Sequence, residues 1–182
     1  MLMTIKNFLL IFILTIFAQG CLVFHSASYE VNVDSDLSGK VEVNIKDIRS
    51  DAMNSSELSE DKNQLFQHML KSDEFIEQMK TEGKNIFDRK LFVSGGKLIG
   101  TVQYTFDDIS KVEGIVYEEP FYFLTLGLED SVISTNGEIV LSENHKRIMW
   151  DNSVKTLKFE MFSANVENSS LVELSKYLEE EK

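Results

Sequence analysis

The chain has 182 residues, 18 of them basic and 30 acidic, for a formal charge of −12, with one cysteine and one proline. That length suits one domain. The lone cysteine excludes an intramolecular disulfide framework and any Cys-rich metal site, and the acidic balance excludes a nucleic-acid binder, which needs basic surface to displace phosphate counterions.

At the N-terminus Lys6 is followed by the apolar run Phe8–Phe17, then by Ala18-Gln19-Gly20 and Cys21. A short basic region, an apolar stretch and small residues before a cleavage point mark residues 1–20 as a secretory signal peptide. The apolar run makes roughly 15 Å of helix, about half a bilayer core, so a permanent transmembrane helix is disfavoured. Residues 21–27 read as a modified cysteine and a short tether, and residues 28–182 as one domain.

From Ser28 the pattern has period two. Tyr29, Val31 and Val33 alternate with polar residues, and Val41, Val43 and Ile45 do the same after Ser35–Gly39. This predicts a β-hairpin with one buried face. Leu58, Leu65, Phe66, Met69, Leu70, Phe75, Ile76 and Met79 then fall at helical spacings, giving one or two helices over about 57–82, with Ser72 and Asp73 as caps of a second one and Gly83 as the stop. Ile86–Val93 and Leu98–Phe106 flank Ser94-Gly95-Gly96-Lys97, a hairpin signal. Residues 107–116 form a polar connection, and Phe121–Leu126 is a strand after Pro120. Val132-Ile133 and Ile139–Leu141 around Asn136-Gly137 predict a further hairpin with a type I′ turn. Arg147–Trp150 and Thr156–Phe162 add two strands. Leu171, Leu174 and Leu178 share one helical face over 169–180. The expected fold is a single α+β domain: a mainly antiparallel sheet of about seven to nine strands, the helical segment inserted over one face, and a C-terminal amphipathic helix.

Cys21 directly after Ala-Gln-Gly resembles the lipobox of bacterial lipoproteins, although Ala18 stands where Leu is commonest and Gln19 is larger than usual. The resemblance implies cleavage before Cys21, with diacylglycerol on its sulfur and usually an acyl chain such as palmitate on its new amino group, and two or more chains anchor a protein stably where one does not. Cleavage removes Lys6 and leaves the remainder one unit more acidic. Leu22 is not the Asp associated with inner-membrane retention, so the resemblance favours the outer membrane in a diderm host. The order of tether, strand, Asp34-x-Asp36-x-Ser38-Gly39 turn, strand and amphipathic helix also resembles lipoproteins with LppM-type domains over the first third of the mature chain. That likeness implies an extracytoplasmic, lipid-interacting α+β domain and carries over no catalytic residue.

No motif for nucleophilic catalysis, phosphate binding or dinucleotide binding occurs, and with Cys21 acylated no thiol remains for catalysis. Asp34, Asp36 and Ser38 resemble the start of a calcium loop, but Ile45 stands where the closing bidentate Glu belongs, so a polar turn is expected. His25, His68 and His145 lack partners at metal-ligand spacing. Neither a metal nor a cofactor is expected. The acidic–aromatic stretch 107–123, with Asp107, Asp108, Glu113, Glu118 and Glu119 near Tyr117, Phe121, Tyr122 and Phe123, allows an alternative reading as a glycan-binding or glycan-active envelope protein. The leading expectation is a non-catalytic, lipid-anchored envelope domain that binds or scaffolds, partnered by the membrane through Cys21 and by a lipid or an envelope protein. Leu65, Phe66, Met69 and Ile76 would line its ligand groove, and the same four would serve equally as plain core.

Overall fold

The computed structural model describes residues 22–167 and 170–179; Cys21 and the signal-like segment lie outside the described residues. Strands β1 (Leu22–Val23), β2 (Ser26–Val33), β3 (Gly39–Lys46) and β4 (Arg49–Ser50) come first. Helix α1 (Ser55–Lys62), a π-helical turn (Asn63–Met69) and helix α2 (Asp73–Thr81) follow. Next are β5 (Lys84–Ser94), β6 (Lys97–Phe106), a 3₁₀ turn (Ile109–Lys111), β7 (Val116–Glu118), β8 (Phe121–Leu126) and β9 (Val132–Thr135). The chain then forms β10 (Glu138–Leu141), β11 (Lys146–Asp151), β12 (Thr156–Phe162), β13 (Val172–Glu173) and a closing 3₁₀ turn (Leu174–Tyr177).

The fold is α+β and mostly antiparallel, as expected, but the strands are distributed over three sheets. Six form the main sheet in the order β5-β6-β3-β2-β12-β9, four form a second sheet in the order β10-β11-β8-β7, and three short ones form β1-β4-β13. The alternation of β2, β3 and β6 sets the two faces of the main sheet. Val31 pairs with Val41, which pairs with Tyr104, and all three are buried. The opposite face is polar: Lys158 bonds Glu30 at 2.8 Å, Lys46 bonds Glu160 at 2.8 Å, and Gln103 donates to Glu42 at 2.8 Å. The helical segment covers the β3-β5-β6 part of the apolar face. Trp150 of the second sheet meets Phe159 of β12, ring centroids 6.0 Å apart, over the other part.

Turn chemistry follows the sequence closely in two places. Gly95 and Gly96 take φ of 58° and 79° between β5 and β6, the doubly left-handed geometry of a type I′ turn. In the β2–β3 turn Asp36 Oδ1 accepts from Ser38 Oγ at 2.6 Å and Ser38 N at 3.2 Å. The left-handed residue there is Leu37 (φ 68°). Gly39 is required for space instead, because a Cβ would stand 2.0 Å from Asn32 O.

Three expectations are corrected. No C-terminal helix forms among the described residues. Val172-Glu173 pairs with β4 and the chain tightens into a 3₁₀ turn, burying Leu174 and Leu178 while Leu171 stays half-exposed. A spacing of three to four residues fits a 3₁₀ turn as well as an α-helix, and the pairing with β4 takes up the residues that would have started the helix. Second, Asn136-Gly137 does not close a hairpin: β9 pairs with β12 and β10 with β11, so this turn carries the chain from one sheet to the other. Third, residues 22–27 are not a free tether. Leu22 pairs with Ser50, and Leu22 and Phe24 are 5% and 7% exposed.

A candidate ligand pocket under the helical segment

An apolar pocket of about 130 Å³ lies between the helical segment and the main sheet. Its floor comes from β3, β5 and β6: Val43, Ile45, Ile86, Leu91, Gly100 and Val102. These residues share a face through register, since Val43 pairs with Val102, Ile45 with Gly100 and Leu91 with Gly100. Gly100 deepens the floor, where a Cβ would press to 3.1 Å from Ile48 Cδ1. Ile48 itself is turned in by the corner after β3, where Asp47 takes φ of 56° and is held by Arg49 at 2.9 Å and Lys97 at 3.0 Å. Burial pushes the Asp47 carboxyl up, but these two cations outweigh it and hold the group below its usual range.

The roof is helical. Ser72 caps α2 by accepting from Glu74 N at 3.1 Å, and Asn54 caps α1 by accepting from Ser56 N and Glu57 N at 3.0 Å each. Between the helices the chain widens into the π-helical turn, whose larger circumference places Leu65, Met69 and Leu70 together over the pocket. In α2 the residues facing down are Phe75 and Met79, spaced i to i+4.

Of the four expected groove residues, Leu65 and Met69 line the pocket. Phe66 is fully buried and belongs to the continuous core, and Ile76 is half-buried outside the lining. The break at Ser72 accounts for Ile76, because it restarts the helical phase one residue earlier than a continuous stripe through Met69 implies.

One cationic side chain reaches the pocket through an irregularity in β5. The register shifts between Ile86 and Asp88, so Phe87 is extra and Arg89 pairs with Val102. The bulge puts Arg89 on the inner face in place of Asp88. Arg89 Nη1 donates to Met69 O at 2.8 Å and Ser72 O at 3.0 Å, tying the end of the π-helical turn to the sheet edge. A cation on the last carbonyls of a helix is favoured by its dipole. Burial lowers the Arg89 guanidinium from its ordinary value.

Behind one end of the apolar lining lies a buried polar cluster. Lys84 and Tyr104 of the lining belong to it, and the Lys84 ammonium stands 5.9 Å from the Tyr104 ring centroid. Glu113 reaches Lys84 from the loop after the 3₁₀ turn, Oε1 to Nζ 3.9 Å, with both side chains about nine-tenths buried. Glu113 holds a left-handed backbone (φ 49°), a strained conformation for a residue with a side chain. Burial raises its carboxyl to about 7, with Lys84 pulling the other way. Burial first, and the Glu113 charge second, push the Tyr104 phenol well above its ordinary value. Among the described residues three buried side-chain polar atoms lack a hydrogen-bond partner, and two of them are here: Tyr104 Oη and Glu113 Oε1. The alternation of β6 pointed to Tyr104 facing inward. Glu113 carried no such signal, because its position depends on one left-handed residue in a polar loop.

The acidic–aromatic stretch is divided among separate tasks. Asp108 Oδ1 caps the 3₁₀ turn by accepting from Ser110 N at 2.8 Å, Glu113 turns inward, and Glu118 and Glu119 are exposed. Tyr122 and Phe123 are buried, and Arg147 stands 4.7 Å over the Phe123 ring. His25 and His68 pack edge-on against Phe162 and Phe75. Among the described residues no group of three His, Cys, Asp or Glu side chains is placed to hold a metal ion, and no helix is long and apolar enough to cross a membrane. No protein-family model matches the chain, and no curated protein or solved structure matches it.

Proposed function

We propose that this protein is a lipid-anchored, non-catalytic binding module of the cell envelope, and that its ligand is an apolar chain seated in the pocket under the helical segment. The pocket carries the reading. Its roughly 130 Å³ of apolar space would take the end of an apolar chain out of water, at about 25 cal/mol per Å² of apolar surface buried. Sites for small ligands share this form, an apolar concavity with a few converging polar groups. The envelope location rests on the signal-like segment and on Cys21, which supplies an acylation site at the head of the folded body.

The test is photo-crosslinking in the native host. Cells are fed a palmitate analogue bearing a diazirine on its chain and irradiated, and adducts on the isolated protein are mapped by peptide mass spectrometry. Adducts at Met69, Phe75 or Met79 that disappear in the pocket-filling variant Met69→Trp are expected. Label at Cys21 alone, with none in the pocket, would overturn the binding reading while leaving acylation intact.

A further inference from the structure

The outer strands of a sheet carry unpaired N–H and C=O groups, and folded proteins protect them with bulges, Pro, Lys or shortness. Three of the four outer strands of the two larger sheets are protected in this way. β5 has the bulge at Phe87 and carries Lys90, β9 meets β12 through a register shift, and β7 is only three residues long. β10 has none of the four devices except its modest length. It pairs regularly with β11, contains neither Pro nor Lys, and exposes all four of its residues. Its apolar side chains Ile139, Val140 and Leu141 are 45%, 39% and 72% exposed. The backbone also fixes how a further strand must pair. Ser142 N donates to His145 O at 2.8 Å, so by the alternation of an antiparallel ladder Val140 and Glu138 exchange their bonds with β11. Ile139 and Leu141 therefore turn their N–H and C=O groups to the open edge, and their side chains share one sheet face, that of Ile148 and Lys146.

We propose that β10 is a self-association edge, and that a second copy of this chain lays its own β10 antiparallel against it about a two-fold axis at Val140. Opposite residues must both turn their bonding groups to the seam, which restricts a two-fold self-pairing to centres on a residue. The centre on Val140 sets Ile139 opposite the second copy's Leu141, and Leu141 opposite its Ile139, for four backbone hydrogen bonds. These two apolar pairs lie on one face of the seam. Val140 meets Val140 on the other face, and Glu138 meets Ser142. The charge pattern suits a second copy although the chain is acidic overall. Glu138 is the only charged residue of β10, and the antiparallel arrangement sends the two Glu138 Cα atoms to opposite ends, roughly 14 Å apart. A centre on Ile139 would instead set Glu138 against Val140 and Leu141 against Gly137, losing the apolar pairs. The seam joins two four-stranded sheets into one of eight strands. Being four residues long, it belongs with small, transient interfaces.

Disulfide trapping of the full-length protein in its native host tests the seam. Cells carrying Val140→Cys or Glu138→Cys are oxidised with copper phenanthroline, and the linked peptides are identified by mass spectrometry, which separates links at the new position from any at Cys21. The two Cα atoms at position 140 form a non-hydrogen-bonded pair, about 4.5 Å apart, within reach of a disulfide, whereas those at position 138 are far beyond it. Val140→Cys should therefore give at least fivefold more linked dimer than Glu138→Cys. Adding Ile139→Pro removes an N–H that the fold itself leaves unused, and adding Leu141→Lys places a charge in the apolar pair. Each should lower the linked dimer at least fivefold, with Trp150 fluorescence unchanged. Equal linking at 138 and 140, no link at 140, links from 140 to a different protein in place of a second copy, or linking that survives both added substitutions would overturn the proposal.

Discussion

Asn136 Oδ1 accepts a hydrogen bond from Trp150 Nε1 at 2.8 Å, joining the turn at the edge of the six-stranded sheet to the centre of the four-stranded one. The same oxygen accepts from Lys158 N at 2.8 Å, and Asn136 Nδ2 donates to Thr156 O at 2.8 Å. One amide thus holds β9, β11 and β12 together. It does so where Gly137 lets the chains approach, since a Cβ on Gly137 would stand 2.7 Å from Trp150 Nε1.

Asn136→Ala should therefore act as a core mutation although its position is a turn. It leaves the indole N–H of Trp150, 1% exposed, and the amide of Lys158 without acceptors. At about 1–3 kcal/mol for an unsatisfied buried donor, a total loss of roughly 2–4 kcal/mol is expected. Urea unfolding followed by Trp150 fluorescence checks it, and a loss below about 1 kcal/mol would contradict the bridging role.

Gly39 and Gly96 should respond oppositely to the reasons usually given for glycine. Gly96 has φ of 79° but open space where a Cβ would stand, so Gly96→Ala should cost only the left-handed strain, about 1–2 kcal/mol. Gly39 has no such φ, yet Asn32 O and Phe106 Cζ would lie 2.0 and 2.8 Å from its Cβ. Gly39→Ala should force β2 and β3 apart and cost clearly more, as thermal unfolding of the two variants side by side would show.

Stability should fall with rising pH between about 4.5 and 7. Glu113 has an ordinary carboxyl in the unfolded chain and one raised to about 7 in the folded state, so the folded protein holds that proton more tightly. Its stabilising contribution is full below pH 4.5 and is lost as pH rises through 7, a change of roughly 3 kcal/mol. Glu82, also raised by burial, acts in the same direction. Asp47 and Glu160, where burial is outweighed by cationic partners, are lowered and lose their contribution only as pH falls below the usual carboxylate range. Maximum stability is expected near pH 4–5, and in Glu113→Gln the slope between pH 4.5 and 7 should flatten. An unchanged slope would show that Glu113 ionises normally.

Arg89→Met should loosen the roof of the pocket without disturbing the floor. Losing the bonds to Met69 O and Ser72 O should speed amide hydrogen exchange over 63–81 by about tenfold or more, with little change in β2, β3 and β12. Uniform acceleration across the chain would mean that Arg89 serves global stability and not the latch.

The sequence made the main elements legible where a period could accumulate. β2 and β3 have eight residues each, enough for alternation to identify Val31, Val41 and Val43 as core. It failed where two residues or one bond decide the outcome. β1, β4 and β13 are too short to show a period, so Leu22 looked like a tether and Leu174 like a helical residue. Asn136-Gly137 signalled a turn but could not name its partners, because Phe159 and Trp150 are distant in sequence. Of the pocket lining, only Leu65 and Met69 were legible as groove residues. The rest depended on the π-helical turn, the restart at Ser72 and the bulge at Phe87, each of which shifts the phase that a regular pattern would project.

Leu22 is the residue after Cys21, and it is already paired with Ser50 in the folded body. Whatever Cys21 carries is therefore one peptide unit, about 3.8 Å, from a fixed point on the domain. Ile48 of the pocket wall lies two residues from that pairing, roughly 7 Å along the chain. Under the acylation proposed for Cys21, the domain is not a float on a leash that sweeps the space above a surface but a fitting bolted through its base, whose orientation is set by the mount.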